Sequence, residues 1–173
     1  MLDIIMNEQL IESAKILGFK QIIVAHEKAA MRLKENEAIV TSADEIKNAR
    51  KKSNLIIVKS SDKDRYVIEH EKPFMIIGLG ESSKPDKTKK REIGINQVLC
   101  KLAVKNNVSF GFVFKSLLNS NIEQRAIILG RWMHIARIAR KYKVKCHIIS
   151  LAESENDLRD AYDFQAFANL IGF

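Results

Sequence analysis

The stretch LIIVKSSDKDRYVIEHEKPFMIIGLG, residues 55–80, holds two short β-branched runs on either side of a helical pattern. LIIVK and FMIIGLG are nearly continuous in apolar residues and do not alternate. Strands covered on both faces of a parallel sheet require that pattern. Between them, residues 62–70 read as a helix that Asp62 can cap. A strand, a helix and a strand joined by short links form the repeating unit of an α/β fold.

The same rhythm extends in both directions. Candidate strands at 2–6, 21–25, 38–41, 109–114 and 146–151 join those at 55–59 and 74–79. Helical patterns occupy 8–17, 43–52, 96–106 and 121–142, with a last one at 157–171. About seven parallel strands suggest a (β/α) TIM-like barrel more than an open sheet. Gly18 marks the end of the first helix, and Ser42 with Glu45 three residues on reads as a capping box. Ser120 and Glu123 form the same pattern ahead of the longest helix. In that reading Arg125 has no part in the cap, and its charge opposes the helix dipole.

The 173 residues suit one domain, 1–173, with a basic insertion at about 82–93, SSKPDKTKKREIG, that leaves the end of a strand without apolar periodicity. Composition is that of an ordinary globular protein, 46% apolar and 29% charged. No run of apolar residues is long enough to span a membrane, and the start lacks a secretory pattern. Cys100 and Cys146 read as reduced core thiols, which points to the cytoplasm.

The net charge of +8 is unevenly spread. Residues 1–83 carry 13 basic and 13 acidic side chains, whereas 93–152 carry ten Lys/Arg and one acid, Glu123. The last 21 residues reverse the balance, with five acids against Arg159. A basic middle of this kind is the footprint of a protein that meets phosphate. On the longest helix Ile128, Leu129, Trp132, Ile135, Ala136 and Ala139 gather toward a sheet. Arg131, His134, Arg137, Arg140 and Lys141 fill the opposite half. No carboxylate three or four residues away neutralises that half. Lys101 and Lys105 share a face of the preceding helix, and aromatic platforms are scarce, so recognition by backbone and shape is expected over base stacking.

Catalytic and metal-binding constellations are not evident. His26, His70, His134 and His147 form no HxH, HxxxH or HExxH, and no Cys/His ligand spacing occurs. His26 and Glu27 meet at a strand end as a weak candidate pair. Asp3 alone cannot hold a divalent ion. No phosphate-binding loop of the GxGxxG or GxxxxGK[ST] type appears. We therefore expect no catalytic residue, no metal ligand and no cofactor in the chain.

GINQVLCKLAVKNNVSFGFVFKSLLNSNIEQRA, residues 94–126, resembles the archaeal ribonuclease P protein component 3 family, homologues of a subunit of the eukaryotic enzyme. The shared pattern is a Gly-Ile-Asp opening, a helix ending in Lys and Asn, an apolar strand, and a loop Leu-x-Ser-Asn-x-x-x-Arg-Ala. KYKVKCHIISLAES, residues 141–154, continues the resemblance, and residues 55–78 match less specifically. The resemblance implies an irregular barrel related to the PHP metallohydrolases but lacking their chemistry. It implies a subunit of a tRNA-processing hydrolase, in which a Mg²⁺-dependent RNA cuts the 5′ leader from precursor tRNA. The implied partners are that RNA, precursor tRNA, a small RRM-like subunit (component 2) and other ribonuclease P proteins, with no membrane. Asn96 stands where the family has an acid, and the chain ends at LIGF where members run on, so either the last helix or a partner should close the barrel.

The candidate RNA contacts are Lys101, Lys105, Lys115, Arg125, Arg131, Arg137 and Lys145, with Lys89, Lys90 and Arg91 in the insertion. Arg125 and Lys145 lead, because they fall at strand-end loops and match the family pattern. Two alternatives stand beside this reading. A metal-dependent phosphoesterase on a PHP-like barrel would need three or more clustered His, Asp or Glu ligands. A general structured-RNA-binding protein would need only the basic face.

Overall fold

A computed structural model describes residues 1–82, 86 and 93–173. Seven strands form one sheet in which neighbours in sequence are neighbours in space: β1 Leu2–Ile5, β2 Gln21–His26, β3 Glu37–Thr41, β4 Leu55–Lys59, β5 Met75–Ile77, β6 Ser109–Val113 and β7 Cys146–Ile149. Every pairing is parallel, from Leu2 opposite Gln21 to Val113 opposite Ile149. The helices are α1 Ile11–Ile16, α2 Ile46–Arg50, α3 Asp64–Tyr66, α4 Gln97–Lys105, α5 Phe114–Leu118, α6 Ile122–Tyr142 and α7 Ala161–Ile171. A 3-10 turn, Glu8–Leu10, leads into α1, and a wider turn, Val67–Glu71, prolongs α3.

The sheet curls into a nearly closed TIM-like barrel. Leu151 N donates to Ile4 O at 2.8 Å and Met6 N to Ala152 O at 2.8 Å, so the chain just past β7 meets β1 directly. Asp3, fully buried, fastens the same seam: its carboxylate accepts from Ser150 N (2.7 Å), Ser150 Oγ (2.8 Å) and Ile4 N (2.8 Å). Burial pushes this carboxyl up to about 6, against the opposing pull of the Ser150 and Ile4 donors. Strand against strand therefore closes the barrel, where the sequence had left the choice between the last helix and a partner. The helix α7 covers this side with Phe164, whose ring packs against Phe19 and Phe114.

Two-sided burial accounts for the continuous apolar runs. Alternate residues fill the barrel interior, among them Ile4, Ile23, Val40, Ile57, Met75, Ile77, Val113 and Ile149. Their neighbours, such as Ile5, Val24, Ile56, Ile76, Phe110 and Phe112, pack outward under the helices. Each such aliphatic side chain, fully buried, contributes about 1.5–3 kcal/mol. Gly111 belongs to the inner set, and a Cβ there would lie 2.4 Å from Met75 Sδ; the thioether occupies the space that glycine leaves. Outside, Trp132 of α6 stacks edge-on against Phe112 (5.3 Å) and donates from Nε1 to Leu79 O at 3.0 Å, so the core placement expected for Trp132 holds.

Element ends differ from expectation where side-chain bonding decides them. Strand β5 stops at Ile77 because Gly78 takes φ +79°. The Ser42 box does not form: Glu45 N donates to Ser42 O, and α2 starts at Ile46 with no side-chain cap. Asp62 is not the cap of α3. Asp64 supplies the local bonds instead, accepting from Ser61 N (2.8 Å) and Ser60 Oγ (2.6 Å). Helix α7 begins at Ala161, not at 157, because Asp160 accepts from Tyr162 N at 2.7 Å. Asn96 caps α4 through Oδ1, accepting from Val98 N and Leu99 N at 3.0 Å each. The amide therefore does the capping that an aspartate would do at this position.

Candidate nucleic-acid interface

The junction KSLLNSNIEQRA, residues 115–126, contains an element that hydropathy hid. Phe114 ends the apolar run as the first residue of α5, not as the last of β6. Ser120 Oγ donates back to Ser116 O at 2.6 Å, and the cap of α6 is Asn121, whose Oδ1 accepts from Gln124 N at 2.8 Å. The Ser120–Glu123 box is thus displaced by one residue. Arg125 turns back over α5, donating from Nε to Leu117 O (2.9 Å) and from Nη2 to Ser120 O (3.0 Å). Terminal helix carbonyls lack intrahelical donors, and a cation there is doubly favourable. The Ser, Asn and Arg of the loop motif therefore each hold this helix–helix corner.

Two further candidates are committed within the fold. Arg131 is 2% exposed, which contradicts its place on an outward basic face. Its guanidinium bonds Asp86 (Nε 2.9 Å, Nη2 2.8 Å), Gly80 O (3.1 Å) and Ser82 O (2.6 Å). Gly80 makes room for it: a Cβ there would stand 3.2 Å from Arg131 Cβ and Ile135 Cδ1, and the backbone sits at φ +79°. Lys115, 20% exposed, lies between Glu153 (3.0 Å) and Asp157 (3.5 Å). Burial works against the Asp157 carboxylate, yet the amides of Glu153 and Ser154, the Lys115 ammonium and the Ser154 hydroxyl together hold it below the usual range.

The barrel mouth, where strand C-termini converge, is neutralised in the same way. Lys59 pairs with Glu27 at 3.1 Å and Lys63 with Asp44. Glu27 is thereby taken from His26, whose Nε2 lies 4.0 Å from Glu37. Glu81 is raised by burial and accepts from Ser116 Oγ at 2.8 Å. Among the described residues no group of three or more His, Cys, Asp or Glu could hold a metal ion. Both cysteines are free, and burial pushes the Cys100 and Cys146 thiols up to about 11 and about 12.

The remaining candidates converge elsewhere, on the flank where α4 packs against α6. Tyr142, at the end of α6, donates to Gln97 Oε1 of α4 at 3.1 Å. The ammoniums of Lys101 and Lys141 stand 5.9 and 5.8 Å from the Tyr142 ring centroid. Lys105 lies one turn beyond Lys101, and Lys145, just ahead of β7, donates to Asn107 Oδ1 at 3.1 Å. All four lysines are exposed, and none has a carboxylate partner among the described residues. Burial and the neighbouring Lys145 charge lower His147, keeping that imidazole neutral next to the cluster. Arg137 and Arg140 are exposed farther back along α6. Lys141 and Tyr142 belong to the same cluster although they were not among the leading sequence candidates; the signal was the i,i+4 stripe of Lys101 and Lys105, which needed a neighbour. Lys89, Lys90 and Arg91 lie outside the described residues.

A parallel TIM-like barrel whose described residues pair their charges at the mouth and leave cations uncompensated on an outer flank belongs to the α/β barrels, here with a surface suited to polyanions. No protein-family model matches the chain. Ribonuclease P protein component 3 of Methanosarcina acetivorans is 37% identical over 82 residues, covering 47% of this chain and 34% of the relative. The protein of that name from Methanocaldococcus jannaschii is 28% identical over 128 residues, covering 74% and 53%. Over these stretches the chain is similar in sequence to ribonuclease P protein component 3 of several archaea. The matched stretches span about a third to about half of these relatives' length. A chain in the cryo-EM structure of an archaeal ribonuclease P with mature tRNA shares the fold, with TM-score 0.76 and 22% identity, covering 99% of this chain and 82% of that one.

Proposed function

We propose that this protein is an RNA-binding subunit of ribonuclease P, assisting a catalytic RNA in removing the 5′ leader from precursor tRNA. The observation that carries the reading is the set of exposed lysines on the α4–α6 flank, Lys101 and Lys141 at the Tyr142 ring with Lys105 and Lys145 beyond them, none with a carboxylate partner among the described residues. A phosphate backbone is the partner such a surface fits, and the name shared by the relatives supports the same role.

In this reading the chain contributes cations and shape, and no reacting group or cofactor of its own; Mg²⁺ serves the RNA. Lysine ammoniums are point charges that screen phosphate repulsion where RNA strands approach. Tyr142 is engaged at its hydroxyl and flanked by two ammoniums, so it orders the lysines and is not a free stacking platform. Residues 1–173 act as one cytoplasmic domain with the basic segment at about 82–93 as an insertion, beside a small RRM-like subunit and the other ribonuclease P proteins.

The test is reconstitution of leader removal with and without this chain at limiting Mg²⁺. The chain should lower the magnesium requirement and raise the rate. An unchanged requirement together with an unchanged rate would refute the role.

A further inference from the structure

The charge of the chain reverses where α1 meets α7. Ala161 N donates to Leu17 O at 2.9 Å, and a Cβ on Gly18 would stand 3.5 Å from Ala161 Cβ, so the end of one helix abuts the start of the other. Glu8 and Glu12 lie on the 3-10 turn and α1, and Glu155 accepts from Ser13 Oγ of α1 at 3.3 Å. Asp160 and Asp163 stand at the start of α7. The two cations set among these five carboxylates are already engaged. Lys15 pairs with Glu12 at 2.6 Å, and Arg159 Nη1 donates to Asn156 O (2.8 Å) and Leu158 O (2.6 Å). Lys20 lies beyond Phe19, at the entrance to β2. Glu8 and Asp163 are exposed and pair with no cation among the described residues.

Large apolar side chains that the core leaves out share this surface. Ile16 is 84% exposed and Tyr162 83%, each one residue from the bonded pair Leu17 and Ala161. Tyr162, Ala166 and Leu170 follow at i, i+4 and i+8 as one ridge of α7, about 12 Å long at 1.5 Å per residue. Leu170 is 76% exposed, while Phe164 and Ile171 point the other way, into the core. At 100° per residue Asp163 borders the ridge on the Leu170 side. We infer that this face docks a protein partner whose contact surface is cationic and amphipathic, with lysine or arginine set among aliphatic side chains. Carboxylates repel phosphate, so a nucleic acid is not the occupant. The exposed isoleucine, tyrosine and leucine give a protein an apolar area to bury. Charge complementarity sets the sign of the partner: the chain as a whole carries +8, so a cationic protein is repelled by its bulk and steered to this acidic face. The inference does not rest on the RNA-binding reading, since Lys101, Lys105, Lys141 and Lys145 lie on α4, at the end of α6 and ahead of β7.

Fluorescence anisotropy with two synthetic helical peptides, added to nucleic-acid-free protein at low salt, tests it. One peptide is leucine and lysine in an amphipathic pattern, and the other has glutamate in place of lysine. The leucine–lysine peptide should bind at least tenfold more tightly than the leucine–glutamate one, and more weakly as salt rises. Glu12→Lys/Asp163→Lys should weaken that binding tenfold or more. Ile16→Asp/Leu170→Asp should weaken it as much although it adds negative charge, which separates apolar docking from ionic attraction alone. Circular dichroism checks that each variant is folded. No binding of the leucine–lysine peptide, equal binding of both peptides, or undiminished binding by Ile16→Asp/Leu170→Asp overturns the inference. So does a dimer of the chain alone that the same variant abolishes, which would assign the face to a second copy.

Discussion

The barrel mouth and the α4–α6 flank both carry lysines, but only one of them has charge to offer. At the mouth Lys59 and Lys115 each face a carboxylate within 3.1 Å, and Lys63 is likewise paired with Asp44. On the flank Lys101, Lys105, Lys141 and Lys145 meet an aromatic ring, an amide or solvent. Exposed ion pairs add little stability, usually less than about 1 kcal/mol, but they remove charge from the field that a polyanion senses. The difference teaches that, among the described residues, the lysines where barrel loops ordinarily carry chemistry are paired, while those on an outer helix face are left charged.

The sharpest break in the comparison is expected at Arg131, the most deeply committed cation. Arg131→Met removes the hydrogen bonds that its guanidinium donates to Asp86, Gly80 O and Ser82 O. Losing the hydrogen bonds of this buried guanidinium, whose carboxylate partner is partly exposed, should cost about 1–3 kcal/mol, read as a fall in the urea midpoint. Next in size is the quadruple exchange of Lys101, Lys105, Lys141 and Lys145 to Gln. It should weaken structured-RNA binding at least tenfold and flatten the log–log salt dependence by about 3 units, with stability changed by no more than about 0.5 kcal/mol. A salt slope unaltered by the quadruple exchange would remove the flank from consideration. Smallest is Arg125→Ala, which frees the Leu117 and Ser120 carbonyls and should cost about 1 kcal/mol of stability. If Arg125→Ala instead weakens RNA binding while leaving stability intact, this arginine belongs with the flank lysines.

The fold was legible because parallel strands buried on both faces must be apolar at every position, so QIIVA, LIIVK and FGFVF announce themselves within five residues. Short elements were not: α5 opens with Phe114 and takes Leu117 and Leu118 from the same apolar vocabulary as the strand before it. The charge excess over residues 93–152 was legible too, but its division into spent and available cations was not. Arg131 finds Asp86 at a separation of 45 residues, and Lys115 finds Glu153 across 38. Helix-wheel reasoning sees only neighbours three and four positions away. Asp86, an acid inside the stretch SSKPDKTKKREIG, was the one visible sign of the first pairing. The caps moved by single residues for a related reason: Asn121 and Ser120 are equally able to cap, and the backbone path out of α5 selects the former.

The buried carboxyl at the β1–β7 seam makes closure of the barrel a proton-linked event. Asp3 holds its proton up to about pH 6 when folded, against 3.8 for the free side chain. Folding therefore takes up a proton between those values. The stability this group contributes is complete below about pH 3.8 and is lost as pH rises through about 6. Asp157, just beyond β7, runs the other way: its depressed carboxyl adds stability above the usual carboxylate range and loses it as acid protonates the group. The joint that turns seven strands into a ring thus works as a weak acid acting above about pH 3.8, while its neighbour acts below that value, so the stability the pair contributes falls away on both sides of it.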